Sequence, residues 1–168
     1  MTGSIALVGF MGAGKTQVGR LVARRLQVPF VDTDRLIVAR YGAIAGIFDD
    51  RGERGFREIE REVVLGELAA AEDGARVVAL GGGAVTIDEV REALQRLPHV
   101  VWLDAPADVL FARSRSGARP LARDEAVFEA LYAQRRALYG GVSTAVVRTA
   151  GSERLSWVTD RVIAAVAA

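Results

Sequence analysis

The octapeptide GFMGAGKT, residues 9–16, lies between an apolar run, SIALV at 4–8, and a segment in which Val18, Leu21, Val22 and Leu26 recur at helical spacing. A continuous apolar run of that kind reads as a buried strand covered on both faces. The octapeptide matches the phosphate-binding pattern G-x-x-x-x-G-K-[ST], with the strand before and the helix after that the pattern requires. Glycines let the backbone curl so that successive N–H groups face phosphate oxygens. The following helix adds the positive end of its dipole. Lys15 is the only lysine in the chain; apart from His99, every other basic side chain is arginine. A compact, mobile ammonium can follow the β- and γ-phosphates, where the wide planar fork of arginine is a poor replacement. Thr16 offers a hydroxyl to Mg²⁺.

The rest of the chain fits a domain built around that loop. Strands are predicted over 4–8, 29–31 (ending at Asp32), 76–80, 99–103 and 145–148. Helices are predicted over 16–26, 34–41, 44–50, 53–71, 87–97, 106–113, 124–139 and 152–167, with Asp124 as an N-cap. Strands alternating with helices at short spacing imply an α/β fold with a parallel sheet. The 168 residues suffice for a single domain, 1–168, with a real core. Residues 114–123, SRSGARPLAR, read as a mobile loop, and a lid is placed at about 114–124.

Composition narrows the function. The formal net charge of +1 lacks the basic excess of a nucleic-acid binder. The absence of cysteine excludes disulfides, thiolate metal sites and thiol catalysis, and one histidine excludes a multi-histidine metal site. No segment approaches the roughly 20 apolar residues that span a bilayer, and the first ten residues lack a signal peptide's basic region. A cytoplasmic protein without a membrane partner is expected. A monomer is expected too, since no exposed apolar helix stripe stands out. With a single lysine at position 15, the N-K-x-D segment that reads guanine cannot exist, so ATP is the expected nucleotide.

Three further features point to chemistry. Asp32-Thr33-Asp34 ends the second strand, at the sheet edge where open α/β folds bind ligands. One carboxylate there can hold Mg²⁺ and the other can accept the proton of an attacking hydroxyl; a plain helix cap is the simpler alternative. Gly81-Gly82-Gly83 follows the third strand, where glycines allow close approach to a ligand. Asp104, at the end of VVWLD, is a rival metal carboxylate, although the following Ala105-Pro106 favours a turn or helix-cap role. Arg57, Arg119 and Arg135 could grip an anionic substrate, with Arg119 in the mobile loop.

The set GFMGAGKT, VDTD, GFREIE, LGGGAV and ARPLA, in this order and spacing, resembles the shikimate kinase family over nearly the whole chain. The resemblance implies a three-layer α/β/α fold of the nucleoside-monophosphate-kinase type, with a five-stranded parallel sheet. It implies ATP-dependent phosphorylation of the shikimate 3-hydroxyl, a step of aromatic amino-acid biosynthesis. By the same resemblance, Gly12, Ala13, Gly14, Lys15, Thr16 and Gln17 would embrace the ATP phosphates. Thr16 and Asp32 would hold Mg²⁺, and Asp34 would bind the shikimate hydroxyls and act as base. Arg57 and Arg135 would grip the shikimate carboxylate, with Gly81, Gly82 and Gly83 against the ring. Arg119 would be the lid arginine on the phosphates, catalytic together with Lys15 and Asp34, and Arg113 would lie over the adenine. Phe48 and Phe56 would line the pocket, and Glu60 would orient Arg57. The segment at 42–48 lacks the acidic residue common in the family, and the lid reads R-P-L-A rather than R-P-L-L. Two other readings stay open: a kinase of the same architecture acting on another acid, such as gluconate, and a nucleotide-binding module without turnover. Lys15→Arg is expected to abolish phosphoryl transfer at an unchanged unfolding midpoint. Wild-type turnover in that variant, measured as ADP release, would contradict the phosphate-loop assignment.

Overall fold

A computed structural model of the chain describes residues 3–114 and 124–167. Its sheet has five strands, all parallel: β1 (Ile5–Val8), β2 (Phe30–Asp32), β3 (Val77–Ala79), β4 (His99–Asp104) and β5 (Ala145–Arg148), in the order β2-β3-β1-β4-β5. The central strand β1 is buried along its whole length, as its unbroken apolar sequence requires. Its alternating side chains feed two cores. Ile5 and Leu7 join Val18, Val22, Val101, Leu103 and Val162 on one face, beneath α1 (Lys15–Leu26) and α7 (Leu155–Ala167). Ala6 and Val8 join Leu68, Val78, Leu94, Phe128 and Tyr139 on the other, beneath α3 (Ile44–Asp73), α4 (Asp88–Leu94) and α6 (Glu125–Val142). This is the expected three-layer α/β/α fold. A smaller cluster of Ile37, Ile47, Phe56, Ile59 and Val63 packs α2 (Thr33–Tyr41) onto α3.

Strand order determines where a ligand can bind. From β1 the chain runs out to β2 on one side, returns to β3, and then crosses to β4 on the other side of β1. The crevice beyond the carboxyl ends of β1, β3 and β4 is the topological switch point. The phosphate loop, the DTD segment and the glycine turn all open from that rim.

The elements depart from the expected ones for local reasons. The helices at 44–50 and 53–71 form one continuous element, Ile44–Asp73, kinked at Gly52 (φ 66°, ψ −177°), so the expected break is there as a bend. A short 3₁₀ turn at Ala84–Thr86 precedes α4, which ends at Leu94 instead of 97. The chain beyond it tightens through Arg96 N–H to Ala93 C=O and Leu97 N–H to Leu94 C=O. Helix α6 continues past Tyr139 to Val142, because Gly140 and Gly141 stay helical when the helix face around them is packed. Its start is as expected: the Asp124 side chain accepts from Val127 N–H at 3.1 Å. Helix α7 begins three residues late, at Leu155. The Glu153 carboxylate instead closes the preceding loop, accepting from Ala150 N–H at 2.7 Å and Gly151 N–H at 2.9 Å.

Candidate active site

The phosphate loop leaves β1 and enters α1 through three glycines with positive φ: Gly9 (146°), Gly12 (81°) and Gly14 (87°). At two of them space is decisive as well as conformation. A Cβ on Gly9 would stand 2.5 Å from the Leu103 carbonyl oxygen, and one on Gly12 would stand 2.6 Å from that of Leu110. The loop is therefore pressed against the end of β4 and against α5 (Ala107–Ser114). Lys15 Nζ reaches back over it, donating to Gly9 O at 2.6 Å and Phe10 O at 3.1 Å. No acidic residue occupies the first turn of α1, so its positive end keeps its attraction for an anion.

Asp32 does two things at once. Oδ1 accepts from Arg35 N–H at 3.1 Å and caps α2, while Oδ2 accepts from the Thr16 hydroxyl at 2.5 Å. The helix-cap reading and the metal-site reading of this residue are thus compatible, one oxygen for each. Thr16 and Asp32 together present oxygen donors only, beside the phosphate loop. Among the described residues no three His, Cys, Asp or Glu side chains cluster as a metal cage. Such a sparse oxygen set fits Mg²⁺, which keeps waters and substrate phosphates as its other ligands. A cleft of about 490 Å³ joins Gly12, Ala13, Gly14, Lys15, Thr16 and Gln17 with Asp32, Asp34 and Arg113. Thr149, Glu153, Leu155 and Val158 close its far side. Arg113 spans to that side, donating to Gly151 O at 2.9 Å.

Each member of the glycine triplet faces a different group. A Cβ on Gly81 would stand 2.5 Å from Asp34 Oδ1 and 2.8 Å from Glu60 Oε1; one on Gly82 would crowd Met11 N at 3.3 Å; one on Gly83 would collide with the Arg57 guanidinium. None of the three has positive φ. Here glycine supplies room, whereas in the phosphate loop it supplies conformation as well. Arg57 is paired with the buried Glu60 carboxylate and lies over the Phe56 ring, 5.5 Å from its centroid. Phe56 in turn stacks on Phe48 at 4.7 Å. Arg135, only 6% exposed, extends from α6, with Nη1 3.3 Å from Gly82 O and its guanidinium 5.5 Å from the Phe10 ring centroid. Its buried Nε has no hydrogen-bond partner among the described residues. An arginine buried in this way is primed for an anion that would satisfy it.

Charge in this corner is balanced. Burial pushes the Glu60 carboxyl above its ordinary value; the Arg57 guanidinium opposes the shift and the Asp34 charge adds to it. Burial likewise pulls Arg135 down.

The structure therefore brings together Gly12 to Gln17, Asp32, Asp34, Arg57, Gly81 to Gly83, Arg113 and Arg135 along one rim. Arg119 lies outside the described residues. Asp104 does not join them: its carboxylate accepts from the Tyr132 hydroxyl and faces Arg136 at 3.4 Å and Arg148 at 3.9 Å, tying β4 to α6 and β5. Sequence reasoning missed Thr33 and Tyr139, whose hydroxyls bond the glycine turn, and Thr149, Leu155 and Val158 in the cleft wall. The spacing of Arg135 and Tyr139, one helical turn apart, was the available signal for Tyr139.

The family model described as Shikimate kinase matches residues 11–167. A shikimate kinase of Symbiobacterium thermophilum is 50% identical over 147 residues, covering 81% of this chain and 80% of the relative. The solved shikimate kinase from Acinetobacter baumannii in complex with shikimate superposes with a TM-score of 0.89 at 34% identity, covering 97% of this chain and 92% of that one. A gluconokinase from Sinorhizobium meliloti superposes with a TM-score of 0.63 at 19% identity, covering 98% of this chain and 91% of that one, a likeness of fold alone.

The raised Glu60 value carries a sign. Between the ordinary carboxyl value of 4.5 and the raised one, the folded state binds more protons than the unfolded state, so stability falls as pH rises through that window. Urea unfolding of wild type and Glu60→Gln from pH 4.5 towards neutrality should show wild type losing stability relative to the variant. The opposite slope would mean that the Arg57 pair outweighs burial.

Proposed function

The chain belongs to the shikimate kinase family and is a kinase, and from that premise we propose that it transfers the γ-phosphoryl group of ATP to the 3-hydroxyl of shikimate, in aromatic amino-acid biosynthesis. The observation that carries the acceptor assignment is the glycine turn at 81–83, with the Asp34 and Glu60 carboxylates on one side and Arg57 on the other. A small acid with several hydroxyls suits that arrangement. Arg57 and Arg135 would take its carboxylate, and Asp34 its hydroxyls.

Transfer follows from the position of these groups. The acceptor oxygen attacks the γ-phosphorus as the bond to the β–γ bridging oxygen breaks, and the hydroxyl proton passes to Asp34. Lys15, the loop backbone and the start of α1 hold the phosphates and offset the charge that builds on them. Thr16 and Asp32 would hold Mg²⁺, which would supply positive charge to offset that of the phosphates. Arg119 would reach the transferring phosphate from the lid at 114–124, and Arg113 would lie beside the adenine. The same reading takes the chain as one kinase domain, monomeric and cytoplasmic, with no nucleic-acid or membrane partner.

ADP release with Mg·ATP should be measured against shikimate, quinate, gluconate, AMP and no acceptor. Strong release with shikimate alone is expected; release with gluconate or AMP instead would discard the acceptor assignment. In Asp34→Asn, turnover should fall by about 10²–10⁴-fold while ATP binding is retained. Undiminished turnover would remove Asp34 as the base.

A further inference from the structure

Three consecutive glycines make the least self-supporting backbone a chain can have, because no side chain restricts them. Yet the turn at 81–83 must present its peptide groups in a fixed direction between Asp34, Arg57 and Arg135. Two buried hydroxyls from opposite sides of the site hold it. Gly81 N–H donates to Thr33 Oγ1 at 3.0 Å, and the Tyr139 hydroxyl donates to Gly82 O at 2.6 Å. Both residues are fully buried. Apart from the longer Arg135 contact to Gly82 O at 3.3 Å, the other backbone bonds of the turn, Ala84 N–H to Gly81 O at 3.1 Å and Thr86 N–H to Gly83 O at 2.9 Å, run to the next residues along the chain. They shape the turn without fixing it to the rest of the site.

We infer that Thr33 and Tyr139 are positioning residues for acceptor binding, a two-sided clamp that sets the glycine turn between the hydroxyl-binding and carboxylate-binding groups. The inference rests on the proposed function for the identity of the acceptor. Thr33 stands between Asp32 and Asp34 at the start of α2, so its bond sets the distance from the turn to Asp34. Tyr139 lies one helical turn beyond Arg135 on the same buried face of α6. Its short bond satisfies the Gly82 carbonyl, which Arg135 reaches only at 3.3 Å. Arg135 therefore shares that carbonyl only at a longer distance, and its Nε is left for a carboxylate. The hydrogen bonds of both hydroxyls run to the glycine turn.

The test compares Thr33→Val, Thr33→Ser and Tyr139→Phe with wild type, by steady-state kinetics and by amide hydrogen exchange of the unliganded protein. Valine keeps the shape of threonine and removes the acceptor; serine keeps the acceptor. In Thr33→Val and Tyr139→Phe the shikimate KM should rise about three- to ten-fold, with the ATP KM within about two-fold of wild type. Amides at 81–83 should exchange faster in both, and Thr33→Ser should return both quantities towards wild type. Faster exchange with an unchanged shikimate KM would overturn the inference, leaving the hydroxyls a purely structural role. Equal losses for shikimate and ATP would overturn it too. If Thr33→Val does not fold, Tyr139→Phe, which loses one oxygen and keeps its ring, decides by the same criteria. A wild type without shikimate turnover would overturn the proposed acceptor by itself. The variants would then be judged on the acid the wild type accepts, where an unchanged acceptor KM would overturn the clamp.

Discussion

One carboxylate joins the two helix starts on which this site is built. Asp32 caps α2 with one oxygen and takes the Thr16 hydroxyl with the other. The strand order puts β3 between β1 and β2, so the start of α1 and the start of α2 are not neighbours through the sheet. The Asp32–Thr16 bond spans that gap. Once it is made, Asp34 is carried to the cleft by the first turn of α2, and Thr33 between them meets the glycine turn at the end of β3. The nucleotide half and the acceptor half of the rim are thus held in register by adjacent residues of one short segment.

The acceptor half places charge where burial is costly. Glu60 is 1% exposed and Arg135 6%, and burial shifts each towards its neutral form. Such groups persist because partners surround them: Arg57 for Glu60, and the Phe10 face and the Gly82 carbonyl for Arg135. The Arg135 guanidinium remains only partly satisfied, a cost that a bound carboxylate would offset. A separate buried carboxylate, Asp104, is by contrast surrounded by Tyr132, Arg136 and Arg148, and serves to lock α6 in place. That anchoring bears on the site, because α6 also carries Arg135 and Tyr139.

Legibility in the sequence tracked how local each cause was. The phosphate loop follows a local pattern, so the loop, its flanking strand and helix, and the place of Lys15 could be read directly, although the crowding of Gly9 and Gly12 by Leu103 and Leu110 could not. Alternation of strands and helices gave the layers, and of the expected breaks on either side of 44–50, the first is real at Gly42 and the second is a bend at Gly52. The end of α6 was not legible, since the buried Tyr139 and Val142 carry the exposed Gly140 and Gly141 within the helix. Three glycines at 81–83 read as a loop near a ligand, but their reason is tertiary: Asp34, Met11 and Arg57 approach from distant segments. The roles of Thr33 and Tyr139 were hidden for the same cause, because a hydroxyl's partner is fixed only when helices from both sides close on the turn.

The most direct test of the link between the two helix starts is the magnesium dependence of turnover in Asp32→Asn. Asparagine caps a helix about as well as aspartate, so α2 should keep its start and the protein its unfolding midpoint. Removing the charge should raise the magnesium concentration for half-maximal ADP release on the order of ten-fold. An unchanged magnesium requirement at wild-type turnover would contradict the account and leave Asp32 a helix cap alone.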